Sequence, residues 1–213
     1  VRFIDQLDFT RFMEHPKWIV GFSDITVLHA HIHQLCGVET LHAAMPLNIG
    51  KQPSPDTLDT LMNALMGSPF SYQLDRTPLA RSGKGEGQLV GGNLSILYSL
   101  NGSASMPDTC GKILFLEDVD EYLYHIDRMM VNLKRSGKLD QLSGLIVGGM
   151  TDMKDNQVPF GKTANEIIYD AVKEFDYPLC FDFPAGHLDN NLALVMGRKT
   201  SLTVDREIDI SFY

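Results

Sequence analysis

Short uninterrupted apolar runs alternate with stretches of helical periodicity along this chain, and that alternation constrains the fold more than any other feature. Trp18-Ile19-Val20-Gly21-Phe22 reads as a buried strand. It is followed by Asp24 to Leu35, where Ile25, Leu28, Ile32 and Leu35 recur at helical spacing and Gly37 stands as a cap. Pro53 to Gly67 reads as a second helix, with Pro55 near its start and Gly67 at its end. Further on, Leu94–Leu100 opens a helix and Lys112–Leu116 is a buried strand. Tyr122–Leu133 is a helix with Leu123, Ile126, Met130 and Leu133 on one face. Leu142–Gly148 and Pro178–Phe183 read as strands, with a helix over Thr163–Phe175 between them. Short strands follow at Leu192–Met196, Ser201–Val204 and Ile208–Phe212. Strands that are apolar on both faces and alternate with helices predict an α/β fold with buried, largely parallel strands.

Between Ser68 and Gly92 the texture changes. Pro69, Pro78 and the run Arg81-Ser82-Gly83-Lys84-Gly85-Glu86-Gly87 carry no helical period. Residues 69–87 therefore read as a linker with short extended pieces between a first part, 1–68, and a second, 88–213.

Composition excludes several classes. Of 213 residues, 27 are acidic and 18 basic, a net charge of -9, with no clustered Lys or Arg. That disfavours a nucleic-acid partner, which needs phosphate neutralisation, and a basic membrane-surface protein. No apolar run approaches the roughly 20 residues that span a bilayer. Cys36, Cys110 and Cys180 are too sparse for a disulfide framework or a zinc site, and they suit a reducing, cytoplasmic compartment.

Polar residues cluster where apolar runs end. In Gly21-Phe22-Ser23-Asp24 a serine sits where a strand turns into a helix, as in a nucleophile elbow. The same residues also suit a helix N-cap. Glu117 follows the strand that ends at Leu116, at the carboxyl edge where α/β folds build sites; Asp118, Asp120 and Glu121 read as capping the next helix. Of seven histidines, His187 is the best candidate base, on the loop Pro184-Ala185-Gly186-His187-Leu188-Asp189-Asn190-Asn191. His29 and His33 share a helix face, but no HExxH glutamate accompanies them, so a metal is not expected. Gly91-Gly92-Asn93-Leu94-Ser95 joins a strand to a helix. It either cradles an anion through backbone amides or makes a tight turn with an Asn cap.

Taken together, Gly21-Phe22-Ser23-Asp24-Ile25-Thr26, Gly91-Gly92-Asn93-Leu94, Leu114-Phe115-Leu116-Glu117-Asp118-Val119, Ile126-Asp127-Arg128-Met129 and Gly186-His187 with Asn191 closely resemble the LD-carboxypeptidase family. The resemblance implies a serine peptidase with Ser23 as nucleophile, His187 as general base and acid, and Glu117 orienting the imidazole. Asp24 would donate its amide to the oxyanion, with Gly92 and Asn93 beside the substrate. It implies no cofactor and no metal. The substrate implied is a muropeptide whose terminal D-alanine follows an L-diamino acid, cleaved in cytoplasmic cell-wall recycling by a homodimer. The implied fold pairs a doubly wound domain carrying the serine with a C-terminal α/β domain carrying Glu and His. The family places a Gly-rich segment and several strands ahead of the serine, whereas Ser23 follows closely on Val1. The chain is therefore expected to lack roughly the first third of the natural protein, including a second oxyanion donor. Microcin C immunity peptidases, which cleave aminoacyl or peptidyl nucleotides, are the alternative on the same fold; Trp18, placed in the buried strand, argues against nucleobase stacking there. A non-catalytic ligand-binding module is the other alternative.

Overall fold

The computed structural model describes residues 1–50 and 53–213. A 3-10 turn at Ile4–Gln6 and a short helix α1 (Thr10–Glu14) lead into β1 (Val20–Gly21), a 3-10 turn at Ser23–Ile25, and α2 (Thr26–Cys36). Then come β2 (Thr40–His42), α3 (Pro46–Ile49), α4 (Pro55–Met66), β3 (Ser71–Asp75), β4 (Gly83–Asn93) and α5 (Leu94–Leu100). The remainder is β5 (Ile113–Val119), α6 (Leu123–Arg135), β6 (Gly144–Thr151), α7 (Ala164–Val172), β7 (Leu179–Cys180), β8 (Leu194–Met196), β9 (Lys199–Val204) and β10 (Glu207–Phe212).

The larger sheet has 7 strands in the order β3-β10-β9-β4-β5-β6-β7. It is mixed rather than largely parallel. β4 is the joint: Gly83–Gln88 pair antiparallel with β9, and Leu89–Asn93 pair parallel with β5. β5, β6 and β7 continue in parallel, while β3, β10 and β9 form an antiparallel wing. Residues 69–87 are thus not a linker in form, since they supply β3 and the first part of β4. Alternating Gly residues there hide the strand from a pattern search, and they are needed: a Cβ on Gly85 would lie 1.7 Å from the Ser143 carbonyl oxygen. A second sheet, β1-β2-β8, draws β8 from the far end of the chain. The first 68 residues therefore do not complete a layer of their own.

Helices and sheet share two main apolar layers. In β5, Leu114 and Leu116 face the helices with Leu97, Ile126, Met130 and Ile168, while Ile113 and Phe115 face Leu89, Phe183 and Leu202. Burial on both faces is why this strand reads as one apolar run. α5 starts on Asn93, whose side chain accepts the Ile96 N–H, and α4 starts on Ser54 and ends at Gly67 in the left-handed region. α2 departs from the apolar stripe: Leu35 is 53% exposed, and the inward face carries Thr26, His29 and His33. Each of those polar side chains has a partner inside the protein, which is what makes their burial tolerable.

Candidate active site

The parallel strands β4 and β5 end side by side, with Asn93 opposite Glu117. Glu117 lies within β5 rather than one step beyond it. Alternation along the strand turns it away from α5, toward the loop that carries His187, and its side chain is fully buried. Oε2 meets His187 Nδ1 at 2.8 Å. Gly186 makes that approach feasible: its φ is +109°, and a Cβ there would lie 2.6 Å from Glu117 Oε2. Burial pushes the Glu117 carboxyl up, against the downward pull of His187. Burial pulls His187 down, but the hydrogen bond and charge of Glu117, with Asp118 behind, outweigh it, and its pKa ends above the ordinary value.

The loop holding His187 is tied at its far side to α4. Asn191 Oδ1 accepts the Gly186 N–H at 2.9 Å, and Asn191 donates its own N–H to Thr57 Oγ1 at 2.9 Å. Ser54 Oγ donates to Asn190 Oδ1 at 2.7 Å. Helix and loop are distant in sequence, so Thr57 carried no signal.

Ser23 opens the 3-10 turn with φ +60°, the left-handed region that non-glycine residues rarely occupy. A strained serine between strand and helix is the geometry of a nucleophile elbow. The preceding residue, Phe22, is buried edge-on against the His187 ring at 4.8 Å between centroids. Ser23 is half-buried and Asp24 exposed. Their amides belong to a first helical turn, whose N–H groups have no partner within the helix. Among the described residues, no hydrogen bond joins Ser23 to His187. Such contacts often tighten only when substrate arrives.

Gly92 and Asn93, expected beside the substrate, are committed to contacts inside the protein. Asn93 is buried; its N–H donates to Thr26 Oγ1 at 2.9 Å, and Nδ2 donates to Asp118 Oδ1 at 3.0 Å. A Cβ on Gly92, φ +136°, would lie 2.5 Å from Thr26 Oγ1. Asp118 is no surface cap: it accepts Asn93 Nδ2, Ser95 N–H at 2.9 Å and Ser95 Oγ at 2.5 Å, and it is buried.

The two histidines considered as a metal pair part company. His29 Nε2 donates to the Gly21 carbonyl at 2.9 Å, and burial lowers its pKa to about 4, so the ring is neutral. His33 Nε2 instead meets Lys112 Nζ at 3.0 Å. Among the described residues no three His, Cys, Asp or Glu side chains are grouped to hold a metal ion. His42, which had no local argument, is fully buried opposite Gly21, with its ring against Phe115 at 4.9 Å. A histidine within the apolar run Leu41-His42-Ala43-Ala44 was its only signal.

Comparison with known proteins assigns the chain to a family. The LD-carboxypeptidase C-terminal domain matches residues 86–202, and the LD-carboxypeptidase N-terminal domain matches residues 1–43. A probable murein peptide carboxypeptidase of Bacillus subtilis is 36% identical over 200 residues, covering 92% of this chain and 63% of that protein. The microcin C7 self-immunity protein MccF of Escherichia coli is 25% identical over 234 residues, covering 94% of this chain and 67% of that protein. The crystal structure of muramoyltetrapeptide carboxypeptidase from Oxalobacter formigenes superposes with a TM-score of 0.88 at 26% identity, covering 99% of this chain and 73% of that one. The chain thus spans less than two thirds of the Bacillus protein. With one domain matched over more than half its length, this chain belongs to the LD-carboxypeptidase family.

Proposed function

We propose that the protein containing this chain is a serine carboxypeptidase that removes the terminal D-alanine from muropeptide tetrapeptides, cleaving after an L-diamino acid. The contact that carries the reading is His187 Nδ1 to the fully buried Glu117 Oε2 at 2.8 Å, with the serine turn packed against the same imidazole through Phe22. Glu117 fixes the tautomer, leaving Nε2 free to take a proton. Ser23 Oγ attacks the carbonyl carbon of the diamino acid as its proton passes to Nε2, and the carbonyl oxygen becomes the oxyanion. The amide of Asp24, at the start of the helical turn, stabilises that charge. Collapse breaks the C–N bond, and His187 returns the proton to the departing D-alanine amine. Water, activated by the same imidazole, then hydrolyses the acyl-serine. Gly92 and Asn93 serve this site by shaping it.

The relatives named as murein peptide and muramoyltetrapeptide carboxypeptidases support the substrate class. The same reading divides the chain into a serine-bearing part, 1–68, and a Glu- and His-bearing part, 88–213, and places a homodimer in the cytoplasm. No helix among the described residues is long and apolar enough to cross a membrane. Cleavage of aminoacyl nucleotides is the second reading, favoured by the likeness to MccF. Trp18 does not count against it as expected, because that side chain is 37% exposed beyond the end of β1. The test is mass spectrometry of the full-length protein with a muropeptide tetrapeptide and an aminoacyl sulfamoyl adenosine. Release of alanine from the first, abolished in Ser23→Ala, is the expected result. Turnover of the nucleotide alone overturns the first reading in favour of the second.

A further inference from the structure

The helix that begins at the serine turn packs along the strand that runs beside Glu117, and one side chain of that contact hydrogen-bonds the strand's end. Thr26 is the first residue of α2 and is fully buried. Its Oγ1 accepts the Asn93 N–H at 2.9 Å. That N–H stands at the N-cap of α5, where the helix offers it no acceptor. Gly92 gives the hydroxyl room, since any Cβ there would press on it at 2.5 Å. From Asn93 the contacts continue in two directions. Nδ2 reaches Asp118 Oδ1 at 3.0 Å, and the backbone lies opposite Glu117 in the parallel ladder.

Ser23 and the Glu117–His187 pair are carried by segments distant in sequence. Serine and base must nevertheless be held to within about half an ångström of working geometry. We propose that Thr26 is a positioning residue whose hydroxyl, bonded to the Asn93 amide, sets the placement of the Ser23 turn against the Glu117–His187 pair. The proposal rests on the reading of Ser23 as nucleophile. Thr26 touches no substrate; it acts through the elements that carry the reacting groups.

Thr26→Val keeps the shape and removes the acceptor, whereas Thr26→Ser keeps the acceptor and removes a methyl group. In the full-length protein two rates are compared: phosphonylation of Ser23 by a fluorophosphonate probe, and kcat on the tetrapeptide. Misplacement of a reacting group by about 1 Å costs on the order of a hundredfold. Thr26→Val is therefore expected to slow both rates by roughly ten- to a hundredfold with KM nearly unchanged. Thr26→Ser should stay within about threefold of the wild type, on the same scale. Wild-type rates in Thr26→Val, equal losses in both variants, or a loss confined to KM each overturn the proposal. If Thr26→Val does not fold, Thr26→Ala against Thr26→Ser makes the same comparison. Labelling of wild-type Ser23 without tetrapeptide hydrolysis sinks the substrate reading alone, and Thr26 is then judged on labelling rates. No labelling of wild-type Ser23 sinks both.

Discussion

Glu117 and Asp118 are adjacent carboxylates on opposite faces of one strand, and the difference in what they touch separates their roles. Glu117 has His187 as its partner, whereas Asp118 is saturated by Asn93, Ser95 and the Val119 N–H. In the proposed mechanism His187 must be neutral to accept the Ser23 proton, so activity should rise with pH through its pKa. Burial pulls that pKa down and Glu117 pulls it up, with the net above the ordinary value. Glu117→Gln removes the upward pull. The acid limb of the kcat profile should then move to lower pH while kcat falls by about three to four orders of magnitude. An unmoved midpoint in a rate–pH titration would mean that Glu117 does not face the base during turnover. Asp120→Asn is the matched control, because Asp120 is exposed and, among the described residues, pairs only with Lys154 at 2.6 Å. It should change stability by no more than about 0.5 kcal/mol. Asp118→Asn is different in kind: it puts an amide among buried donors and should cost on the order of 2 kcal/mol in denaturant unfolding. The pairing of Glu117 with His187 was legible because each follows an apolar run. Asp118 was not, since its partners come from β4 and α5, which no local pattern ties to it.

At the scale of elements, α4 is the clamp on the loop that carries His187. Thr57 is buried, and its hydroxyl accepts the Asn191 N–H while Asn191 holds Gly186. Thr57→Val leaves that N–H buried without a partner. It should lower stability by about 1–3 kcal/mol, with amide exchange at residues 184–191 rising more than in β5. Uniform exchange across both segments would show that α4 stabilises the molecule without gripping the loop. Helices α4 and α5 were readable because caps and apolar period agreed, and α6 from its apolar period alone. α2 was misread in part, since its buried face mixes Val27, Ala30 and Ile32 with Thr26, His29 and His33, whose polar partners lie outside the helix, while Leu35 of the expected stripe is exposed. The start of β4 was missed because glycines imposed by close backbone approach carry no hydrophobic alternation; β3 does alternate, with Tyr72 and Leu74 on one side, but over only five residues beside Pro69 and Pro78. The antiparallel wing they build with β9 and β10 depends on pairings between the chain's middle and its end, which periodicity does not encode.

For the whole molecule, the imidazoles buried behind the serine turn set how stability responds to acid. His29 is fully buried against Gly21, and burial lowers its pKa from 6.5 to about 4. His33 is lowered to about 4 by burial and by Lys112, and His42 is lowered well below 6.5 by burial, with His29 and His187 adding to it. A folded state that binds fewer protons than the unfolded one loses stability as pH falls from 6.5 toward those values. Glu117 and Asp118 act in the opposite sense, because burial raises both. Their contribution is present below the unfolded carboxylate values of about 4 and is lost as pH rises through the folded ones. His187, also raised, is stabilising below 6.5 and loses that contribution as pH climbs through its folded pKa. With His29 and His33 both lowered to about 4, urea unfolding should show lower stability at pH 5 than at pH 7.5. His29 alone accounts for about 2 kcal/mol of that loss at pH 5, at 1.36 kcal/mol for each tenfold change in proton binding. His29→Gln keeps an N–H donor for the Gly21 carbonyl but cannot take up a proton. It should flatten the fall between pH 7.5 and pH 5 by that amount, and an unchanged slope would mean that His29 is protonated or exposed in the folded protein.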